Sequence, residues 1–166
     1  RELQYFMDEA TPGVGYSFFF LLLDQTKNKF VITTNFDTMT EDALFEFTKS
    51  KPLILVHELV SDYIDPTNMQ RPTIIKIHRD FRYSPKNTRT ETTNLADKWK
   101  KSLDIVLQNN AIIVIGYGGH DKSLMTYLQN IDSNERKSIY WCYREEDEIP
   151  KRAKELLTEK DFIVKI

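Results

Sequence analysis

A few polar residues in this chain stand where their types and spacing could do chemistry. They are Asn35 and Asp37, then His78, then the cluster Gly116-Tyr117-Gly118-Gly119-His120-Asp121. Each follows an apolar, largely β-branched run. Phe30-Val31-Ile32 leads into Thr33-Thr34-Asn35-Phe36-Asp37, Thr73-Ile74-Ile75-Lys76-Ile77 into His78, and Ala111-Ile112-Ile113-Val114-Ile115 into Gly116. Such runs read as buried strands of a parallel sheet, apolar on both faces and polar at the carboxyl end. Ligands of open α/β sheets bind beyond those ends, so the three ends are expected to share one crevice.

The residue types narrow the chemistry. A strand, then Gly-x-Gly-Gly, then a helix lets the main chain approach a phosphate, but Asp121 takes the last place of the dinucleotide fingerprint Gly-x-Gly-x-x-Gly. A tight strand-to-helix turn explains the glycines equally well. His78 has no metal-ligand spacing to His57 or His120, and no metal site is expected. It reads either as a structural hydrogen-bonding residue or as a proton carrier at a strand end. Gly-x-Ser-x-Gly and Walker motifs are absent, and no carboxylate pair suggests sugar-chain hydrolysis. Residues 71–101 hold nine basic and three acidic side chains, which suits either a diphosphate or a solvated face.

The elements that must position these groups alternate along the chain. Residues 1–10 read as the end of a helix, and Thr11-Pro12-Gly13-Val14-Gly15 as a turn. The dense apolar stretch from Tyr16 to about Gln25 predicts a helix buried between the sheet and a neighbour. Thr38 or Thr40 can cap a helix over about 41–49, with Glu41 near its positive end. A strand is expected over Leu53-Ile54-Leu55-Val56, a polar turn over 61–71, and a loop through Pro85 and Asn87. Helices follow over about 98–108 and 121–131, a strand over 138–143, a helix over 150–157 and a strand over 162–166. Strands alternating with helices predict a Rossmann-like parallel sheet with helices on both faces.

Composition supports one domain over 1–166. Apolar residues make up 40% of the 166 and charged residues 29%. The net charge of −2 offers no global field for nucleic acid or membrane, so direct binding to either is not expected. One cysteine, Cys142, excludes an internal disulfide and fits a cytoplasmic location. The longest apolar run, residues 18–23, is far short of the ~20 residues of a spanning helix. The apolar close at Phe162-Ile163-Val164-Lys165-Ile166 suggests a piece of a longer protein.

Taken in order, Thr33-Thr34-Asn35-Phe36-Asp37, Lys76-Ile77-His78-Arg79-Asp80 and Ile115-Gly116-Tyr117-Gly118-Gly119-His120-Asp121 resemble the motifs of sirtuin-like NAD-hydrolysing domains. These are bacterial relatives of the sirtuin deacylases, frequent in anti-phage defence proteins. Pro12, Gly15 and Tyr16, the Lys86-Asn87-Thr88 loop and Tyr140-Trp141-Cys142 also resemble that family. The resemblance implies NAD+ as substrate, cleaved at the nicotinamide–ribose bond without a metal. It implies that Asn35 holds the ribose and the attacking water, and that His78 serves as general base or proton relay. Asp37 and the Phe36 main chain would read the carboxamide. Gly116 and Gly118 would lie near the phosphates and Cys142 near the adenosine. Thr34, Tyr117 and Asp121 complete the expected binding set.

The chain also departs from the family pattern. Arg79 stands where the family has glycine, and would either crowd the pocket or reach out to a phosphate. The family's glycine-rich first strand-loop is missing from these residues, as is the four-cysteine zinc module of the deacylases. The resemblance thus favours an NAD glycohydrolase acting as effector in antiviral defence, with further domains or sensor subunits and a possible homo-oligomer as partners. The alternative is a non-catalytic sensor of NAD or ADP-ribose. A protein deacylase is less favoured.

Overall fold

A computed structural model describes residues 10–27, 29–59, 71–79, 95–144 and 149–166. The expectations for residues 1–9, 61–70, Asp80, Pro85 and the 86–88 loop lie outside these. The chain forms two compact units, residues 1–86 and 87–166.

The first unit contains α1 (Val14–Gln25), β1 (Phe30–Thr33), α2 (Met39–Thr48), β2 (Leu53–Leu55) and β3 (Thr73–Lys76). Its three strands are parallel in the order β1-β3-β2. In register, Thr33 is level with Lys76 and Leu55 with Ile75. The middle strand β3 is buried along its whole length, while β1 is half-buried throughout. Phe20, Ala43, Leu44 and Ile74 form the core, with Tyr16, Phe19, Leu23, Val31 and Phe47 packed around them.

The spacing of Tyr16, Phe19, Phe20 and Leu23 gives α1 a single inward stripe. Here the structure corrects the sequence reading. Only Phe20 of α1 is fully buried, whereas Val14, Phe18, Leu21 and Leu22 are 51–74% exposed. The helix therefore covers the core with one face and is not enclosed on all sides. Its first turn closes when the Tyr16 amide donates to the Gly13 carbonyl (3.0 Å). At the end of α2, Lys49 turns left-handed (φ 60°) as its amide donates to the Phe45 carbonyl.

The second unit contains α3 (Asp97–Asn109), β4 (Ile112–Val114), α4 (Lys122–Asn130), β5 (Ile139–Tyr143), α5 (Lys151–Leu156) and β6 (Phe162–Lys165). Its strands are parallel in the order β4-β5-β6. The amphipathic α3 buries Trp99, Ser102, Leu103, Val106 and Leu107. Tyr127 of α4 donates its hydroxyl proton to Asp104 of α3 (2.7 Å), which joins the two helices.

Strand β4 departs from the expected burial on both faces. Val114 is buried, but Ile113 is 64% exposed. Alternation along a strand sends neighbours to opposite faces, so only one face of β4 is covered. Asp161 ties the start of β5 to the turn before β6. Its carboxylate accepts two hydrogen bonds from Arg136 (2.7 Å each), one each from the Ile139 and Thr158 amides (2.7 Å), and one from the Thr158 hydroxyl (2.9 Å).

Both units are parallel sheets flanked by helices, as a Rossmann-like α/β fold requires. No helix among the described residues is long and apolar enough to cross a membrane.

Candidate active site

In the first unit, β1 and β3 are hydrogen-bonded neighbours that end at the same level. The Ile77 amide donates to the Thr33 carbonyl (3.2 Å), one residue past the last paired rung. Asn35 and His78 thus each lie two residues beyond Thr33 and Lys76, at the carboxyl ends of adjacent parallel strands. Asn35 is exposed and Thr34, Phe36 and Asp37 half-buried, while His78 is only 6% exposed.

The loop after β1 is held by its own side chains. The Asn35 amide donates to the Thr33 hydroxyl (3.0 Å), and the Met39 amide donates to the Asp37 carboxylate (3.1 Å). Asp37 therefore meets the first free amide of α2, the role expected of Thr38 or Thr40. Thr38 instead donates its hydroxyl proton to Asp42 (2.7 Å).

Two residues with no expected role join this end of the unit. Lys76, fully buried in β3, donates to the Asp37 main-chain carbonyl (2.5 Å) and pairs with the Glu41 carboxylate (2.5 Å). The Tyr16 phenol is pushed up by burial, then by the Asp37 carboxylate, with a smaller push from Glu41. The one sequence signal for the first is a lysine inside a buried strand, and it does not reveal the partners.

Arg79 takes the left-handed conformation (φ 69°), which glycine adopts without cost. The Arg79 guanidinium donates to Glu58 (3.0 Å), beyond the end of β2. In the sheet order, β2 lies on the opposite side of β3 from β1.

In the second unit, Gly116 and Gly119 both have φ 66°, so the turn after β4 needs glycine there. A side-chain carbon added at Gly116 would meet no atom within 4 Å. That bare stretch of main chain fits the close approach of a phosphate. The expected cost of Gly116→Ala is therefore backbone strain alone, about 1–2 kcal/mol, read from the denaturant midpoint. At Gly118 the added carbon would come 2.9 Å from the His120 ring, which can swing aside.

Asp121 caps α4, accepting from the Ser123 amide (2.8 Å) and hydroxyl (2.9 Å). The Tyr117 hydroxyl donates to the Asp121 carbonyl (3.3 Å), and its ring leans on Trp141, with centroids 6.0 Å apart. Burial, then the Asp121 carboxylate, push the Tyr117 phenol well above its usual range. Cys142 sits in β5 paired with Val164, and burial pushes its thiol up. No group of three or more potential metal-binding side chains occurs among the described residues.

Residues 29–165 match the SIR2-like domain family. The chain belongs to the SIR2-like family. Its members are NAD-dependent enzymes, so NAD+ is the ligand class of this SIR2-like domain. No curated protein matches the chain. The match begins one residue before β1 and ends on the last residue of β6, so it spans all three strand ends on which the candidate residues stand.

Proposed function

We propose that this SIR2-like domain is an NAD+ glycohydrolase that cleaves the nicotinamide–ribose bond to give nicotinamide and ADP-ribose. The observation that carries the reading is the placement of Asn35 and His78 at the carboxyl ends of adjacent parallel strands within the family match. The C1′–nitrogen bond breaks with its electron pair leaving on nicotinamide, and a water oxygen bonds to C1′ as its proton is released. The Asn35 amide orients the ribose and the water. His78 receives or relays the proton, and the Asp37 and Phe36 loop reads the carboxamide. Fixed dipoles of this kind stabilise an oxocarbenium-like ribose because they need no reorganisation during the reaction.

We further propose that the domain serves as an effector in antiviral defence, alongside other domains or sensor subunits. A protein deacylase is disfavoured because this chain's single cysteine cannot build a four-cysteine zinc module.

One observation favours a second reading, an NAD or ADP-ribose sensor without turnover. His78 is buried, which limits its access to a substrate hydroxyl. Incubation of the protein with NAD+, followed by chromatography for nicotinamide and calorimetry for binding, separates the two. Nicotinamide release that His78→Ala reduces by about 10²-fold or more supports the hydrolase. Binding heat without release supports the sensor.

A further inference from the structure

We propose that Lys76 is a positioning residue: its ammonium, anchored by the Glu41 carboxylate, fixes the main chain at Asp37 and so sets the loop that carries Asn35. The inference deepens the hydrolase reading and rests on it for its catalytic consequence, while its structural content stands on geometry alone.

Lys76 is 0% exposed in a strand whose other members are Thr73, Ile74 and Ile75, all buried too. An ammonium removed from water is expensive unless partners within the fold replace its hydration. Here those partners are remote in sequence. Asp37 is 39 residues away, and Glu41 lies in the first turn of α2. One side chain of β3 therefore holds both the loop after β1 and the start of the next helix.

A buried ion pair is a poor device for stability, because apolar side chains of similar volume do as well or better. What it supplies is direction. The β1–β3 ladder reaches only to the Ile77–Thr33 bond, beyond which the loop is shaped by its short-range bonds at Asn35 and Met39. The Lys76 bond to the Asp37 carbonyl continues the tie between β3 and the β1 side past that point. It places the loop relative to the strand that ends in His78.

The test compares wild type with Lys76→Met/Glu41→Leu, which removes both charges together and so leaves no unpaired buried ion. Glu41→Gln is the second variant, keeping the shape of the anchor without its charge. Two readouts are taken: backbone hydrogen exchange of residues 35–39 against that of β3, and kcat and KM for nicotinamide release.

The expected result for the double variant is a retained cooperative unfolding transition, exchange over 37–39 faster by about 10- to 100-fold, and a kcat loss of similar size with KM little changed. Glu41→Gln is expected to shift both readouts in the same direction by less. Unchanged exchange over 37–39 in a folded double variant overturns the proposal. So does unchanged exchange and turnover in Glu41→Gln, should the double variant not fold. If wild type releases no nicotinamide while exchange still rises in the variants, the hydrolase reading fails and the positioning role stands.

Discussion

Asn35→Ala is expected to lower nicotinamide release by about 10²- to 10³-fold, the usual effect of removing one preorganised polar group from a reacting centre. The same change should leave stability within about 0.5 kcal/mol, because Asn35 is exposed on the loop after β1. Alanine keeps the backbone amide that donates to the Thr33 hydroxyl, so the local turn survives. Loss of activity without loss of stability is the pattern that separates a working side chain from a structural one. Asn35→Asp sharpens the test, since it preserves size but replaces the amide donor with a carboxylate. Steady-state turnover and a melting curve on the same preparations give the answer. Full turnover in both variants removes Asn35 from the mechanism.

The second large effect concerns the fold of the other unit. Asp161→Asn is expected to cost about 3–5 kcal/mol at neutral pH, because it leaves the Arg136 charge buried without its counter-ion. The side chains of Arg136 and Asp161 are 1% and 0% exposed. An amide offers one acceptor oxygen, and its nitrogen would point a donor at donors. Burial alone pushes the Asp161 carboxyl up, but the Arg136 guanidinium, the Ile139 and Thr158 amides and the Thr158 hydroxyl together hold it well below the usual carboxylate range. A lowered folded value means stability that is fully present above the unfolded value, near pH 4, and is lost as pH falls from there towards the folded value. Urea midpoints of wild type and variant should therefore lie far apart at pH 7 and converge in strong acid. A gap that does not narrow on acidification would contradict the charge-based account.

Much of the fold was legible in the sequence because its strands are short, β-branched and punctuated. All six described strands lie within one or two residues of where apolar runs predicted them. The clearest of those runs end near Asn35, His78 and Gly116, so residue type and position alone mark these as candidates. Side-chain burial was less legible. An apolar run does not say how many of its faces are covered, so Ile113 and the outward residues of α1 were expected inside and are not. The long-range polar ties were hidden as well. Nothing local to Lys76 announces a carbonyl 39 residues away, and nothing near Asp161 announces Arg136, since both pairings exist only once strands are in register.

Arg79 also restricts the main chain next to His78. A glycine after the histidine would act as a loose hinge, free to take many backbone angles in the unfolded chain and several in the folded one. Arginine narrows that freedom, and its clasp on Glu58 pins the far end of the same residue. The strained backbone costs about 1–2 kcal/mol, and in exchange the segment behind the imidazole becomes a bracket instead of a hinge. In this chain the main chain that leaves His78 is tied through its next residue to Glu58, beyond the end of β2.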